Sequence, residues 1–507
     1  MNVQHSKFET GGKPGMAGLR VVVIGSGMSG ILMGIKLREA GIEDFTIFEK
    51  AEKIGGTWRE NTYPGITCDV ASHYYSYTFE PNPNWSHRFP PGDEIQAYFE
   101  GVTEKYGITP HIKFNTEISK ARWDGSAWQI DTKNGEHVVA DVLISAAGVL
   151  HHLTYPDIDG LDTFKGDMWH TARWNHDVDL TGKRVGIIGT GSTATQIVGA
   201  IVNKVKKLTL FQRTAQWVHP FPDKEYSETA KALFRRFPFL TKILYHWYRY
   251  ILDQGFGRVV VGKKSAEGLN RRCEENLARV QDPELRAKLT PDYKPGCKRM
   301  IFSSNFYNAI QKPNAALVTE DIDHIEPSGV VTKDGTLHAL DVLVLSTGFK
   351  ADRFLRPIEM IGENGVNLED VWKDGPIAYR SVAVPNMPNF FMLVGPRSPI
   401  GNLSLIEVSE YQAGYIMQCI KEIGTKHVTL APVQAATDRL NDEMKEAVLN
   451  TIWVTGGCNS WYIGADGLPA LYPWEPSRFY RDMSRPPNFD DYEIKPIETP
   501  ARTAAAE

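Results

Sequence analysis

Cysteine is scarce in this sequence, and the few cysteines that are present form no motif. The 507 residues include only Cys68, Cys273, Cys297, Cys419 and Cys458. None of them has the CxxC spacing of redox or zinc motifs, and an odd, sparse set predicts no disulfide framework. Small disulfide-stabilised secreted scaffolds are therefore excluded, and a reducing, cytoplasmic location is expected.

Long apolar runs and an excess of positive charge are also missing. No stretch of about 18 apolar residues occurs, so no transmembrane span is expected. The formal net charge of −5 excludes a protein that binds nucleic acid through a strong overall positive field. No histidine or cysteine cluster has metal-ligand spacing, so we predict no metal site. Residues 1–18 lack the apolar core of a signal peptide, and we predict flexible tails over 1–18 and 493–507.

Two segments share a pattern that is typical of nucleotide-binding units. Residues 19–24 are largely apolar and are followed by Gly25-Ser-Gly-Met-Ser-Gly30 and a helical pattern. Residues 184–188 are followed in the same way by Gly189-Thr-Gly-Ser-Thr-Ala194 and a second helical pattern. Each segment predicts a buried parallel strand, a tight turn and a helix. We therefore predict an α/β fold with two Rossmann-like, doubly wound dinucleotide-binding domains.

Two further apolar strands end alike and give candidate domain boundaries. Residues 141–148 read Asp-Val-Leu-Ile-Ser-Ala-Ala-Gly, and residues 341–348 read Asp-Val-Leu-Val-Leu-Ser-Thr-Gly. A small residue and a glycine at a strand end let the backbone pass close to a ligand. We expect the chain to cross between domains just after each strand, near 149–156 and near 349–353.

The glycines of the first turn have separate roles in binding a dinucleotide. Gly25 allows the sharp turn, Gly27 lets the backbone approach a pyrophosphate, and Gly30 lets the helix pack against the strand. The next strand, residues 44–48, ends at Glu49. A carboxylate there would accept hydrogen bonds from a ribose diol and would repel a 2′-phosphate. The first site is therefore predicted to hold FAD or NAD.

The second unit has a cation where the first has an acid. Arg213 lies 19 residues after Ala194, as Glu49 lies 19 residues after Gly30. A guanidinium matches a 2′-phosphate in charge and in fork geometry, so the second site is predicted to prefer NADP. An ordinary surface arginine is the alternative. Two dinucleotide sites of opposite preference predict hydride transfer between cofactors, most simply from NADPH to FAD.

A region at about 225–290 has a helical pattern and is rich in aromatic residues and arginine. Leu240, Ile243, Leu244, Trp247 and Ile251 recur there at helical spacing, with polar residues on the opposite face. One interpretation is a surface helix that docks on the core through this apolar face. The other is a helix that lies on a membrane or on a partner. The pattern alone favours the first interpretation.

Two longer motifs carry a family resemblance. Residues 55–69, Gly-Gly-Thr-Trp-Arg-Glu-Asn-Thr-Tyr-Pro-Gly-Ile-Thr-Cys-Asp, match (A/G)GxWxxxx(F/Y)P(G/M)xxxD at every fixed position. Residues 164–174, Phe-Lys-Gly-Asp-Met-Trp-His-Thr-Ala-Arg-Trp, match FxGxxxHxxxW, with Asn175 where Pro or Asp usually follows. On these motifs the chain resembles the type I Baeyer–Villiger monooxygenases from about residue 19 to about 480. The resemblance implies an FAD domain over 19–150 and 351–492, which encloses an NADP domain over 151–350 with a helical insertion.

The resemblance also implies which residues perform the chemistry. Arg299, in the pair Lys298-Arg299, would lie beside the flavin and stabilise an anionic FAD C4a-peroxide and its adduct with a ketone. Asp69 would be a buried carboxylate that holds this guanidinium in place. His170 would have a structural or coupling role and would not act as a base.

The two glycine turns and the resemblance together give a set of candidate cofactor-binding residues. The candidates for FAD are Gly25, Gly27, Met28, Ser29, Gly30, Glu49, Gly56, Thr57, Trp58, Asp69 and Tyr75. The candidates for NADP are Thr190, Gly191, Ser192, Thr193, Ala194, Gln196, Arg213, Thr214, Lys298, Arg299 and Trp461. Lys298 would accompany Arg213 at the 2′-phosphate. Trp461 would belong to a mobile loop that folds over bound NADP, with a core aromatic as the alternative.

These features predict an NADPH- and O2-dependent flavoprotein that converts ketones into esters or lactones. One alternative is flavin-dependent oxygenation of amines or sulfides, which uses a protonated hydroperoxide, whereas the Lys298-Arg299 pair and residues 55–69 favour the anionic route. A non-catalytic, NADPH-responsive flavoprotein is a second alternative. The expected partners are a small-molecule ketone and O2, with no nucleic acid, in a monomer or small homo-oligomer.

Overall fold

The computed structural model describes residues 16–401, 403–464 and 466–497. Its strands are short. In chain order they are β1 (Val21–Ile24), β2 (Phe45–Phe48), β3 (Ile112–Lys113), β4 (Ile118–Trp123), β5 (Trp128–Thr132), β6 (His137–Ala140), β7 (Val142–Ser145), β8 (Asp167–His170), β9 (Arg184–Ile188), β10 (Lys207–Phe211), β11 (Val218–His219), β12 (Ile301–Phe302), β13 (Ala315–Val318), β14 (Ile322–Glu326), β15 (Gly329–Thr332), β16 (Leu337–Ala339), β17 (Val342–Leu345), β18 (Glu359–Ile361), β19 (Phe390–Met392), β20 (Val428–Pro432) and β21 (Tyr492–Pro496).

The helices range from single turns to one long helix near the C-terminus. In chain order they are α1 (Met28–Glu39), α2 (Thr57–Glu60), α3 (Gly92–Lys105), α4 (Ser192–Ile201), α5 (Glu228–Arg236), α6 (Phe239–Ile251), α7 (Arg258–Val260), α8 (Glu267–Leu277), α9 (Pro283–Lys288), α10 (Phe306–Ile310), α11 (Leu368–Val371), α12 (Leu405–Lys426), α13 (Gln434–Val448), α14 (Ile452–Thr455) and α15 (Pro476–Ser484). Among these described helices, none combines the length and the apolar character that crossing a bilayer requires.

The first large sheet draws its strands from both ends of the chain. Its five strands are parallel and have the order β19-β7-β1-β2-β3. Every residue of β1 and β7 is buried, as expected for parallel strands whose two faces are covered. Helices α1 and α12 pack against each other beside this sheet. β19 comes from the chain after residue 350, so distant segments complete a single sheet.

The second large sheet is built from the middle of the chain. Its five strands are also parallel, in the order β13-β10-β9-β17-β8. The central strand β9 pairs with β10 on one side and with β17 on the other, and α4 packs with α10 next to them. Two parallel sheets, each starting from a strand, a glycine turn and a helix, confirm the predicted fold class.

The two glycine turns explain why glycine is needed at the start of each unit. Gly25 has φ +95°, and a Cβ on it would lie 2.8 Å from the carbonyl oxygen of Ala146. A Cβ on Gly30 would lie 1.9 Å from the carbonyl oxygen of Gly25. Gly189 has φ +109°, and a Cβ on it would lie 2.4 Å from the carbonyl oxygen of Ser346. The tight turns place the N-termini of α1 and α4 at the carboxyl ends of the strands, where phosphate groups bind.

The ends of the described chain differ from the predicted flexible tails. β21 pairs antiparallel with β20, with Lys495 opposite Thr429, and Tyr492 is buried. Residues 493–496 therefore belong to a strand, and the predicted flexible tail from 493 was wrong for them, because a partner strand distant in sequence supplies their hydrogen bonds. Residues 16–18 form a turn. The rest of both predicted tails, 1–15 and 498–507, lies outside the described residues.

The orientation of helix α6 differs in part from the prediction that its apolar face docks on the core. Ile243 and Trp247 are 57% and 56% exposed, whereas Tyr245 is buried. The inward side of the helix is held by Arg249, whose Nε lies 2.8 Å from Oε1 of the buried Glu407 in α12. The ion pair and the inward tyrosine fix the rotation of the helix, and these two apolar side chains face outward as a result.

Candidate active site

The first glycine turn lies directly against the start of the 55–69 segment. Gly27 is the N-cap of α1, and Gly56 is the N-cap of α2 with φ +54°. A Cβ on Gly27 would lie 3.6 Å from Cα of Gly56. Backbone thus meets backbone beside a helix N-terminus whose free N–H groups attract anions. These glycines fit a dinucleotide pyrophosphate at this helix N-terminus, because neither position carries a side chain that would crowd it.

Glu49 lies just after β2, beside the same turn, and is buried. Its Oε2 accepts hydrogen bonds from the backbone N–H and from Oγ of Ser26, both at 2.9 Å. Its Oε1 accepts a hydrogen bond from the N–H of Ala51 at 2.9 Å and lies 3.2 Å from Nη1 of Arg59. These groups hold a fixed carboxylate beside the first glycine turn, which fits the acid predicted for a ribose diol. Arg59 is a neighbour that the sequence did not predict.

Other candidates for the FAD site differ in how their side chains are used. Nε1 of Trp58 donates to Oη of Tyr75 at 3.1 Å, and the two rings meet edge to face with centroids 5.7 Å apart. Burial raises the pKa of Tyr75, so the phenol stays protonated. Ser29 is buried and shares a hydrogen bond with Oγ of Ser409 at 2.8 Å. The structure therefore brings Trp58 and Tyr75 together, whereas Ser29 joins α1 to α12.

Helix α4, which follows the second glycine turn, packs against the 55–69 segment. Gly191 is the N-cap of α4, and a Cβ on it would meet no atom within 4 Å, so the space above this helix N-terminus is open. Gln196 donates from Nε2 to the carbonyl oxygen and Oγ1 of Thr67, at 3.0 and 3.1 Å, and accepts from Oη of Tyr63 at 2.9 Å. A Cβ on Gly65 would lie 2.8 Å from the carbonyl oxygen of Gln196. Gln196, a predicted NADP contact, thus joins the two nucleotide-binding units.

The predicted cations of the second site lie close enough to influence each other. Arg213 follows β10 and is exposed, and Oγ1 of Thr190 in the glycine turn donates to the carbonyl oxygen of Thr214 at 2.9 Å. Burial and the neighbouring Arg213 lower the pKa of Lys298, although Asp292 acts in the opposite sense. Two cations that repel each other are stabilised by an anion between them. The pair therefore fits a 2′-phosphate.

Arg299 and Asp69 form an ion pair across 230 positions of sequence. Nη2 of Arg299 donates to Oδ2 of Asp69 at 2.7 Å. Attraction to Asp69 raises the pKa of Arg299 above its ordinary value, so the guanidinium keeps its charge. The two side chains are 38% and 27% exposed. The structure thus brings the two predicted partners together, and protein atoms enclose the pair in part.

Tyr462 is a neighbour of this pair that the sequence did not single out. Its side chain is buried, and burial raises the pKa of Tyr462 to about 12, although Arg299 acts in the opposite sense. The ring of Tyr462 lies 4.3 Å from the ring of Trp461, centroid to centroid, and Trp461 is 51% exposed. Trp461 is therefore not a core aromatic. Tyr462 connects the predicted loop tryptophan to the guanidinium of Arg299.

A disulfide joins the Arg299 segment to the Trp461 segment. Cys297 and Cys458 are 161 residues apart in sequence and are bonded, with their Cα atoms 6.0 Å apart. The bridge lies two residues before Arg299 and three before Trp461. The prediction that no disulfide forms was wrong, because the pairing depends on how two distant segments meet and no spacing pattern reports it. The bridge also removes the cysteine argument for a reducing location.

We expect the disulfide to stabilise this part of the site. Cys458→Ser should lower the midpoint of thermal unfolding by several degrees, because the bridge closes a long loop in the unfolded chain. The measurement is scanning calorimetry of wild type and Cys458→Ser with and without dithiothreitol. Reductant should lower the wild-type midpoint and leave that of Cys458→Ser unchanged. Equal responses of the two proteins to reductant would contradict the bridge. Cys273→Ser, at a buried cysteine without a bridge, is the matched control.

His170 and Arg397 are buried polar residues near the segments that connect the sheets. Nδ1 of His170 accepts a hydrogen bond from the N–H of Ala172 at 3.1 Å, and Nε2 lies 3.2 Å from the carbonyl oxygen of Gly348. Burial lowers the pKa of His170, and the neutral ring joins two backbone segments, which fits a coupling role.

Within the described chain, Nε and Nη1 of Arg397 have no hydrogen-bond partner, and its Nη2 lies 3.5 Å from Asp466. Arg397 is an isolated loop arginine in the sequence, and nothing there signals its burial.

Sequence comparisons with known proteins point to one family. The model of a family described as flavin-binding monooxygenase-like matches residues 18–451. A protein of Mycobacterium tuberculosis, described as an uncharacterized monooxygenase, is 46% identical over 94% of this chain and 96% of its own length. A Baeyer–Villiger monooxygenase of Streptomyces coelicolor is 39% identical over 96% of this chain and 95% of its own length.

Solved structures match the fold over nearly the whole chain. A cyclohexanone monooxygenase from Rhodococcus sp. Phi1 bound to NADP+ is 28% identical, with a TM-score of 0.83, and the match covers 94% of this chain and 99% of that one. A complex of OTEMO with FAD and NADP is 27% identical, with a TM-score of 0.84, and the match covers 94% of this chain and 100% of that one. The fold is therefore shared with one protein solved with NADP+ and with another solved with both FAD and NADP.

Proposed function

Because the chain belongs to the flavin-binding monooxygenase-like family, we propose that it oxidises ketones to esters or lactones in a Baeyer–Villiger reaction. The protein is a flavin-dependent monooxygenase whose cofactors are FAD and NADPH. In the proposed reaction, a ketone, O2, NADPH and one proton give an ester, NADP+ and water. One oxygen atom of O2 enters the substrate and the other leaves as water. The name of the matched cyclohexanone monooxygenase, which contains a cyclic ketone, supports this substrate class.

The observation that carries the proposal is the ion pair of Arg299 and Asp69. When bound, FAD reduced by NADPH would supply the chemistry that activates O2. Attack on a ketone carbonyl builds up negative charge, which a permanently charged guanidinium stabilises. Asp69 holds the guanidinium of Arg299 at 2.7 Å, so little reorganisation is needed when that charge develops. We therefore assign Arg299 as the catalytic residue and Asp69 as the residue that positions it.

The chain's own residues also account for how two dinucleotides would be held. In the proposal, the glycine turn at the N-terminus of α1, with Gly56 beside it, takes the FAD pyrophosphate and Glu49 takes the ribose diol. Arg213 and Lys298 take the 2′-phosphate of NADPH. Residues 19–150 and 351–492 form the FAD domain, and residues 151–350 form the NADP domain. A cytoplasmic location and a monomer or small homo-oligomer stay predictions.

The proposal is tested by following oxygen into product. The holoenzyme is supplied with NADPH, isotopically labelled O2 and a panel of cyclic and linear ketones, with catalase present to remove free hydrogen peroxide. Ketones should stimulate NADPH oxidation, and mass spectrometry should find one labelled oxygen in each ester. Parallel reactions with sulfides and tertiary amines test the alternative chemistry. Oxygenation of sulfides or amines alone would favour heteroatom oxidation, and NADPH consumption without a labelled product would contradict both reactions.

A further inference from the structure

The outward side of α5 and α6 presents a continuous set of apolar and aromatic side chains. We call this surface the α5–α6 face and define it by residues that are each 42–59% exposed, namely Leu233, Phe237, Phe239, Ile243, Trp247 and Tyr250. In α6 the last four lie at positions i, i+4, i+8 and i+11, which share one side of a helix. Soluble proteins rarely expose such a contiguous patch unless it binds something.

The α5–α6 face is turned outward by contacts on the inward side of the same helices. Phe234 in α5 meets the ring of His73 edge to face, with centroids 4.8 Å apart. Tyr245 in α6 meets Tyr74 at 5.2 Å in the same way. Arg249 pairs with Glu407 and also lies 4.0 Å from the ring centroid of Tyr480. These contacts fix both helices against the loop at 73–74, α12 and α15, and therefore the exposed apolar stripe is a feature of the folded structure.

The charge around the α5–α6 face is mainly positive. Residues 229–252 contain five lysines and arginines and no aspartate or glutamate, in a chain whose formal net charge is −5. The exposed Glu228 at the start of α5 pairs with Lys231, and Arg249 pairs with Glu407. The other three cations, Arg235, Arg236 and Lys242, are exposed. Helices that lie in the plane of a bilayer surface and bind anionic lipid typically carry cations beside exposed Trp, Tyr, Phe and Leu. Two copies of the chain meeting through this face would bring like charges together, which disfavours a dimer.

We propose that the α5–α6 face binds the surface of an anionic phospholipid bilayer, with α6 parallel to the membrane plane. Phe239, Ile243 and Trp247 enter the boundary between headgroups and acyl chains, and Lys242 contacts the lipid phosphates. No helix crosses the bilayer in this arrangement. The proposal does not depend on the oxidation reaction, since it concerns a surface formed by the helical region alone.

The test is cosedimentation of the full-length holoenzyme with vesicles. Vesicles of phosphatidylcholine mixed with phosphatidylglycerol should bind the protein, and vesicles of phosphatidylcholine alone should bind it much more weakly. Binding should weaken as salt is added, because the lysine and arginine contacts are screened. Equal binding to both vesicles, or no binding to either, would overturn the proposal.

Substitutions on the α5–α6 face separate lipid binding from general folding defects. Trp247→Glu and Lys242→Glu should each weaken binding to the anionic vesicles by about tenfold or more. Leu337→Glu, at a 45% exposed apolar residue in β16, should leave binding unchanged. Bound flavin absorbance and circular dichroism confirm that each variant is folded. The proposal would be overturned if folded Trp247→Glu bound anionic vesicles as well as wild type does. It would also be overturned if wild type ran as a dimer in gel filtration, Trp247→Glu ran as a monomer, and vesicles bound neither wild type nor the variant.

Discussion

Replacing Arg299 with alanine is expected to lower the rate of ketone oxidation by about two to three orders of magnitude. The guanidinium is fixed by Asp69 at 2.7 Å, and attraction to this carboxylate raises the pKa of Arg299, so the positive charge is present before negative charge develops on the substrate. Flavin reduction by NADPH does not require that charge and should change by no more than about tenfold. Stopped-flow flavin absorbance measures reduction, and mass spectrometry measures the ester.

Two companion variants separate catalysis by Arg299 from its effect on folding. Loss of the arginine leaves Asp69 without its partner, so Arg299→Ala alone also lowers stability. The double variant Arg299→Ala with Asp69→Asn removes both charges and should recover thermal stability without recovering ketone oxidation. Arg299→Lys keeps a charge but loses the planar fork, and an intermediate rate is expected. Ketone oxidation by Arg299→Ala at the wild-type rate would contradict the assignment.

Local features of the fold could be predicted because they are encoded over a few adjacent residues. A buried strand followed by Gly25-Ser-Gly-Met-Ser-Gly30 leaves one sterically allowed turn, and the close approach of Gly30 to the Gly25 carbonyl shows why. The same holds for the second unit at Gly189. The positions of Glu49 and Arg213 at the ends of the second strands could also be predicted, because in a βαβ unit the second strand ends about 20 residues after the glycine turn.

Features that depend on distant segments could not be predicted from local patterns. The Cys297–Cys458 bridge, the contact of Tyr462 with Arg299 and the pairing of β20 with β21 each join segments whose approach is set by the whole fold. Helix α6 is a clearer case, because its helical periodicity was correct but its apolar residues do not all dock. Leu240 and Leu244 are half-buried, whereas Ile243 and Trp247 face outward. The inward side is shared with Arg249, which pairs with the buried Glu407, and hydrophobic periodicity does not report such a buried ion pair.

The structure suggests how the two nucleotide-binding units are coupled. Gln196 in α4 bonds Tyr63 and Thr67, and Thr67 lies two residues before Asp69. Arg299 follows Lys298 directly, so the partner of Asp69 and a predicted contact to NADPH are adjacent in the chain. The Arg299–Asp69 pair is therefore connected to the second nucleotide-binding unit through both of its members.

Replacing Arg213 with alanine is expected to change which nicotinamide coenzyme the protein uses. The guanidinium offers charge-assisted hydrogen bonds to a 2′-phosphate, and the loss of such bonds should raise the KM for NADPH by about 10- to 100-fold. NADH lacks this phosphate, so its kcat/KM should change little. Steady-state kinetics with both coenzymes give the ratio of kcat/KM values. Arg271→Ala, at an exposed arginine of α8 outside the site, is the matched control and should leave the ratio unchanged.

Lys298 provides a second check on the coenzyme prediction, because the positive charge of Arg213 lowers the pKa of Lys298 and we propose that both cations contact the 2′-phosphate. Removing Arg213 relieves this repulsion, so Lys298 should keep part of the preference for NADPH in Arg213→Ala. The double variant Arg213→Ala with Lys298→Ala should then lose the remaining preference. If kcat/KM fell by the same factor for NADPH and for NADH in Arg213→Ala, the proposed contact with the 2′-phosphate would be contradicted. That result would mean that the arginine supports the structure of the site without distinguishing the two coenzymes.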